Sequence, residues 1–276
     1  MFGLLLQSLV CIAVTSIAIS LFASAISSRY TYIKLGSGDL WRRPTHSLAR
    51  SLRRTASQVF GQRKLLQDIR SGVMHVLLFY GFIIVQFGAL DLLIKGLGGK
   101  GLPIPGYATF GLIQEMTVLL ILLAIGYAAY RRYGERLARL KRGFQPSIVI
   151  WFIALLMLSV LFTLAFERVL DHAPYSPLAP VSSLLAMPLH KLGMSETAAM
   201  IGFYICWWIH LLILLAFLVY VPQSKHFHLL TAPINLWLHR PAPPGRLTKL
   251  DLEDEEAEHF GVGQIEHFTQ KQLLDL

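Results

Sequence analysis

The sequence predicts an all-α membrane protein with five transmembrane helices. Three observations carry this. The 276 residues are 54% hydrophobic and 15% charged, with a mean hydropathy of +0.54, whereas a soluble domain carries about 25% charge. The apolar residues collect into five runs of about 20 residues or slightly more, enough to cross a hydrocarbon core of ~30 Å. Finally, the net charge of +9 gathers in two basic loops that alternate with the runs as the positive-inside rule requires.

Residues 3–27 hold no charge and are followed directly by Arg29. The run is long for the apolar part of a signal peptide and has no basic residue before it, so it reads as a first span. The basic loop 29–70, with RRPTHSLARSLRRTASQVFGQRKLLQDIR, belongs in the cytoplasm. Its stretch 45–67 has helical spacing of apolar residues and reads as a helix along the membrane surface. The second span is 71–94, followed by a glycine-rich outer connection, KGLGGKGLPIPG. The third is 107–130 and contains Glu115. The basic RRYGERLARLKRG comes next, again cytoplasmic. The fourth span is 146–166, and the connection 167–196, with few charges and four prolines, fits the outer side. The fifth span is 197–221. This places the N-terminus outside and the C-terminus in the cytoplasm. Residues 1–240 read as a five-helix membrane domain, and 241–276, acidic and then mixed, as a cytoplasmic linker.

Composition excludes several classes. The basic charge is topological, and no nucleic-acid-binding motif accompanies it. Cys11 and Cys206 each sit inside an apolar run with no CxxC neighbour, so neither an iron–sulfur or zinc site nor a disulfide framework can be built from them.

Chemistry is carried by the histidines. His210 lies deep in the fifth run, and a histidine in hydrocarbon is costly and usually functional. His228 follows 18 residues later. On a roughly continuous helix that is five turns, which puts both rings on one face about 27 Å apart, too far for one metal and suited to two cofactors stacked across a bilayer. Pro222 interrupts this helix between them. His75, one turn inside the second span near its cytoplasmic end, lies at a depth similar to His228. These two imidazoles can ligate one haem iron from opposite faces. No cysteine pair precedes a histidine, so the haem is of the non-covalent b type. His210 then ligates a second haem. On the second span the matching depth falls at Val85 and Gln86, neither a good axial ligand, which leaves that haem five-coordinate or held by a further side chain, with His172 and His190 as candidates. His226, two residues before His228, points to nearly the opposite side of an α-helix. It reads as a propionate-contacting residue or an exchange partner for His228. His46, His239, His259 and His267 lie in polar segments and read as surface. Arg63, Lys64 and Arg70 can pair with propionates. Asp91 and Glu115 are the intramembrane acids suited to proton transfer or quinone contact.

With a histidine at the start of the second span and two histidines 18 residues apart around the fifth, the chain resembles the gamma subunit of respiratory nitrate reductase, a dihaem cytochrome b. It departs from that pattern at Val85, where that subunit has a second histidine. The strings FGQRKLLQDIRSGVMHVLLFYGFIIVQFG, WWIHLLILL and YVPQSKHFHLLTAP are more similar to a sister group, the cytochrome b domains joined to heterodisulfide-reductase-like iron–sulfur proteins. That group includes membrane oxidoreductases passing electrons from electron-transfer flavoprotein to menaquinone. The resemblance covers residues 3 to about 240. It implies His75 and His228 as ligands of the cytoplasm-proximal haem b and His210 as ligand of a distal haem b; the related heterodisulfide reductase subunits, with one low-spin and one high-spin haem, fit one-sided ligation at His210. It also implies a quinone site (menaquinone or ubiquinone) near the distal haem, and iron–sulfur clusters only in a partner or in a domain beyond IEHFTQKQLLDL. The location it implies is the bacterial cytoplasmic (inner) membrane. The rival readings are a quinol-oxidising anchor for a nitrate, heterodisulfide or sulfite-pathway reductase, and a haem-free scaffold or transporter. For a transporter the chain lacks the internal repeat that many such folds show.

Overall fold

The structure is a computed structural model that describes residues 2–38, 40, 48–98, 101–138, 140, 143–239 and 261–275. His46, His259, part of the basic loop and most of the linker lie outside these residues. The described residues are helical, with one isolated bridge and no strand. Five helices are long and apolar enough to cross a membrane. The chain divides into two compact units, Met1–Ser16 with Leu65–Phe217 and Ile17–Lys64 with Leu218–Leu276.

The first unit holds the start of α1 (Phe2–Lys34), then α3 (Ile69–Gly96), α4 (Tyr107–Ala129), α5 (Phe144–Leu170), the short α6 (Pro180–Lys191) and nearly all of α7 (Glu196–Tyr220). Helix starts are set by local chemistry. Asp68 caps α3 by accepting the Ser71 N–H at 3.3 Å, and Gly106, at φ +69°, turns the chain into α4. Helix α4 packs against α3 and α5, and α6 lies on α5 and α4. Glycines on α3 permit close approach, as small residues do between membrane helices. A Cβ on Gly81 would lie 2.7 Å from the Ile121 side chain, and one on Gly96 would fall on the Trp207 indole. That indole Nε1–H donates to the Leu92 carbonyl at 2.8 Å, so Trp207 is seated in a notch at the end of α3.

The interior carries Ile121, Val118, Leu156 and Trp207, but also Asp91, Gln114, Glu115, Ser159, Thr163, Ser182 and His210, all buried. Large apolar side chains point outward, with Leu123, Trp151 and Phe87 each at least 60% exposed. Polar groups inside and apolar ones outside is the arrangement a hydrocarbon solvent imposes.

The second unit holds the rest of α1, the basic α2 (Leu48–Thr55), two 3₁₀ turns (Val221–Gln223 and Lys225–Phe227), α8 (His228–Trp237) and α9 (Gln270–Asp275). Helix α2 falls within the stretch expected to be helical and packs on α8. Residues 261–275 fold back onto the end of α1: Ser37 N–H donates to the Phe268 carbonyl at 2.8 Å, and Gln270 N–H to the Ser37 carbonyl at 3.1 Å.

Three expectations change. The connection 167–196, read as a loop, contains α6. Proline at its first turn is compatible with a helix start, since that N–H has no intrahelical partner. The helix carrying His210 is not continuous to His228: it ends at Tyr220, and Ser224 is extended (φ −124°, ψ 174°) before α8 begins. His226 does not point away from His228, because residues 225–227 form a 3₁₀ turn. The two ring centroids are 6.1 Å apart.

Two outcomes follow from this packing. Gly96→Ala drives a methyl into the Trp207 ring, and overpacking of this kind costs about 1–3 kcal/mol; thermal unfolding of the detergent-solubilised chain should show the loss, and an unchanged midpoint would mean the indole is not seated at Gly96. A Cβ at position 36 would lie 2.8 Å from Leu273 Cδ1 and 2.9 Å from the Gln270 nitrogen. Gly36→Val should therefore undock residues 261–275 and speed their removal in limited proteolysis, against the wild-type rate.

Candidate functional site

His210 is the central residue of the first unit. Its Nδ1 lies 3.0 Å from Ser159 Oγ and 3.3 Å from the Leu156 carbonyl, both on α5. The Ser159 hydroxyl donates to the same Leu156 carbonyl at 2.8 Å. Counting protons fixes the tautomer. With the proton on Nδ1, the ring donates to the hydroxyl oxygen and the carbonyl, and every group of the triangle is satisfied. With it on Nε2, the serine would have to abandon its carbonyl, and a donor N–H would be left unpaired. Nε2 is buried and has no hydrogen-bond partner in either form, so the Ser159–Leu156 hydrogen bond, kept only in the first, decides between them. We assign the Nδ1–H form, which leaves Nε2 as a bare electron pair.

His210 lines a cavity of about 290 Å³ enclosed by α3, α4, α5, α6 and α7, at the lower edge of the range for small-molecule and cofactor sites, about 300–1,000 Å³. Around His210 its wall is apolar, with Phe82, Val85, Leu156, Met157 and Leu214. Val85 and Gln86 line the same cavity as His210.

The rest of the cavity wall is strongly polar. Lys95 grips Glu167 with both carboxylate oxygens within 2.6–2.7 Å and lies 3.6 Å from Asp91. Asp91 Oδ2 accepts the Tyr107 hydroxyl at 2.5 Å, and its Oδ1 accepts the Leu102 N–H at 2.7 Å. One cation thus serves two carboxylates, tying α3 to α5 and to the start of α4. Glu115 is also buried beside the cavity, but its oxygens accept the Val181 N–H at 2.8 Å, the Ser182 N–H at 3.3 Å and the Ser182 hydroxyl. It caps α6, an anion at a helix N-terminus.

In the second unit, His228 opens α8. Its Nδ1 donates to the Lys225 carbonyl at 2.8 Å, again leaving Nε2 as the lone-pair nitrogen, here on an exposed residue. His226 Nδ1 lies 3.3 Å from Ser224 Oγ, and the Arg29 guanidinium stands 5.2 Å above the Phe227 ring. His75 is half-buried on α3 in the first unit. His172 is exposed and meets Glu196 at 3.1 Å, and His190 is exposed; neither lines the cavity.

Among the described residues, no group of three or more His, Cys, Asp or Glu side chains is arranged to hold a bare metal ion. His210 is the one imidazole among the residues lining the cavity, and imidazole is a side chain that can hold haem iron. Reading the sequence did not single out Ser159, Lys95, Tyr107 or Glu167 as a group. Their partners are 51, 72 and 16 residues away in sequence, and an isolated serine or lysine in or beside an apolar run gives no sign of which helix it will meet.

No protein-family model and no solved structure matches the chain. Among curated proteins it is 46% identical over 275 residues to "Probable iron-sulfur-binding oxidoreductase FadF" of Bacillus subtilis, across 99% of this chain and 38% of that protein. It is 27% identical over 229 residues to "EtfAB:quinone oxidoreductase" of Syntrophomonas wolfei, across 79% of this chain and 31% of that protein. The chain therefore spans well under half the length of the curated relatives it matches. Over 99% and 79% of its length it corresponds to part of proteins that carry oxidoreductase names, and five of its helices have the length and apolarity of membrane spans.

Proposed function

We propose that this chain is the membrane cytochrome b part of a quinone oxidoreductase, carrying electrons between a cytoplasmic iron–sulfur module and a quinone of the menaquinone type in electron-transfer flavoprotein:quinone oxidoreduction. The observation that carries the reading is His210, a buried imidazole with no hydrogen-bond partner at Nε2, among the residues lining a cavity whose wall is partly apolar and partly a buried acid–base cluster. The names of the two relatives, which include iron–sulfur binding and a quinone, support it. In this reading the basic loops face the cytoplasm of a bacterial cell, the N-terminus lies outside, and the iron–sulfur partner meets the chain on the cytoplasmic side.

In this reading His75 and His228 would hold one haem b, a pairing carried by their places in the sequence, and His210 would hold the second. Haem b supplies reversible one-electron transfer when bound. The chain's own groups do the rest. Ser159 and Leu156 hold the His210 ring, while Phe82, Val85 and Leu164 supply apolar wall to the pocket. Quinone reduction consumes electrons and protons in equal number, so the electron path must end beside groups that exchange protons. Asp91, with the Tyr107 hydroxyl on one oxygen and Lys95 close by, is such a group, and Glu167 balances Lys95. Glu115, engaged with α6, holds the pocket's roof in place.

Pyridine haemochrome assay with low-temperature EPR on the purified, haem-replete chain is expected to give two b haems, one low-spin and one high-spin. His210→Ala should remove the high-spin signal, and His75→Ala or His228→Ala the low-spin one. A wild-type chain without haem, or a His210→Ala chain with full content, would overturn the reading. Asp91→Asn keeps the shape but not the proton exchange. It should slow quinone-coupled haem oxidation by about 10²-fold, the lower end of the usual general acid–base contribution, with haem content unchanged; stopped-flow spectroscopy with a soluble quinone reads this directly.

A further inference from the structure

We infer that Ser159 is a positioning residue for the ligand of the high-spin haem: its hydroxyl oxygen locks His210 in the Nδ1–H tautomer and sets how strongly Nε2 donates to iron. This rests on the reading of His210 as a haem ligand given above.

A serine inside a helix commonly returns its proton to a carbonyl one turn back, and Ser159 does so to Leu156. That contact alone would be a local habit of the helix. What it does not explain is the second use of the same oxygen, whose lone pair faces His210 Nδ1 at 3.0 Å across two helices. Because the hydroxyl proton is committed to Leu156, the oxygen can only accept, so the ring must donate. The arrangement is sealed: Leu156, Ser159 and Thr163 are all buried, and Thr163 Oγ1 donates to the Ser159 carbonyl at 2.7 Å.

The acceptors are also uncharged. A metal-bound histidine that donates to a carboxylate gains ligand basicity. Here the ring donates to a hydroxyl and a carbonyl, and no carboxylate contacts it, so it remains a neutral imidazole of moderate donor strength. Removing the hydroxyl leaves only the longer 3.3 Å contact to Leu156, which weakens the donation from Nδ1 and makes Nε2 a poorer donor.

The test compares the wild-type chain with Ser159→Ala and Ser159→Thr, all made with haem in excess. In ferrous five-coordinate haem the iron–histidine stretch is visible by resonance Raman spectroscopy, and spectroelectrochemistry gives the midpoint potential of each haem. For Ser159→Ala the expected results are a lower stretching frequency and a raised potential at the high-spin haem, with the low-spin haem unmoved. Selective loss of the high-spin haem would equally support the assignment. Ser159→Thr, which keeps the hydroxyl, should restore both readouts. An alanine variant with wild-type stretch and potential would overturn the inference while leaving the haem reading intact. Loss of both haems in alanine and threonine variants alike would also overturn it, since Ser159 would then be a packing residue. A wild-type chain without haem would overturn the inference together with the reading beneath it.

Discussion

A polar atom inside hydrocarbon has no water to fall back on, so each must find a partner within the protein. In the first unit this constraint explains the arrangement of the buried side chains. Trp207 gives its N–H to a carbonyl at the end of α3, Gln114 gives its amide to the Ile84 carbonyl, Glu115 collects the N-terminus of α6, and Lys95 is held by Glu167 with Asp91 beside it. These contacts bridge α3, α4, α5, α6 and α7. Apolar packing against lipid tails distinguishes poorly between one helix arrangement and another, whereas a satisfied donor has few alternatives. Among the buried side-chain atoms without a hydrogen-bond partner, Nε2 of His210 belongs to an imidazole. It has the one property, a bare electron pair, that makes it useful to a metal.

The five spans were legible because bilayer thickness writes itself into run length. Their ends were not. Helix α1 continues to Lys34 and α5 reaches Leu170, several residues beyond their apolar runs, because a helix stops where its backbone loses partners and not where hydropathy falls. Helix α6 escaped notice for a related reason. It is short, it contains two prolines, and the carboxylate that caps it comes from Glu115, some 66 residues earlier.

The histidines divide in the same way. His210 was legible as an anomaly, a titratable ring in an uncharged run, and its tautomer was not, since that depends on a serine on another helix. The spacing to His228 was read on an α-helix, and the chain departs from that geometry at Ser224, where the backbone is extended. Reading by residue type finds which side chains are out of place. Finding what they meet requires the packing.

The notch at Gly96 has a historical consequence. An indole at position 207 and any side chain beyond hydrogen at position 96 exclude each other, while an indole without the Leu92 carbonyl beside it would bury an unpaired N–H. Neither position can drift while the other stays fixed. Over evolutionary time the two should behave as a single heritable character spread over two distant stretches of the gene, exchanged together or not at all, even though one lies at the end of the third helix and the other in the middle of the seventh.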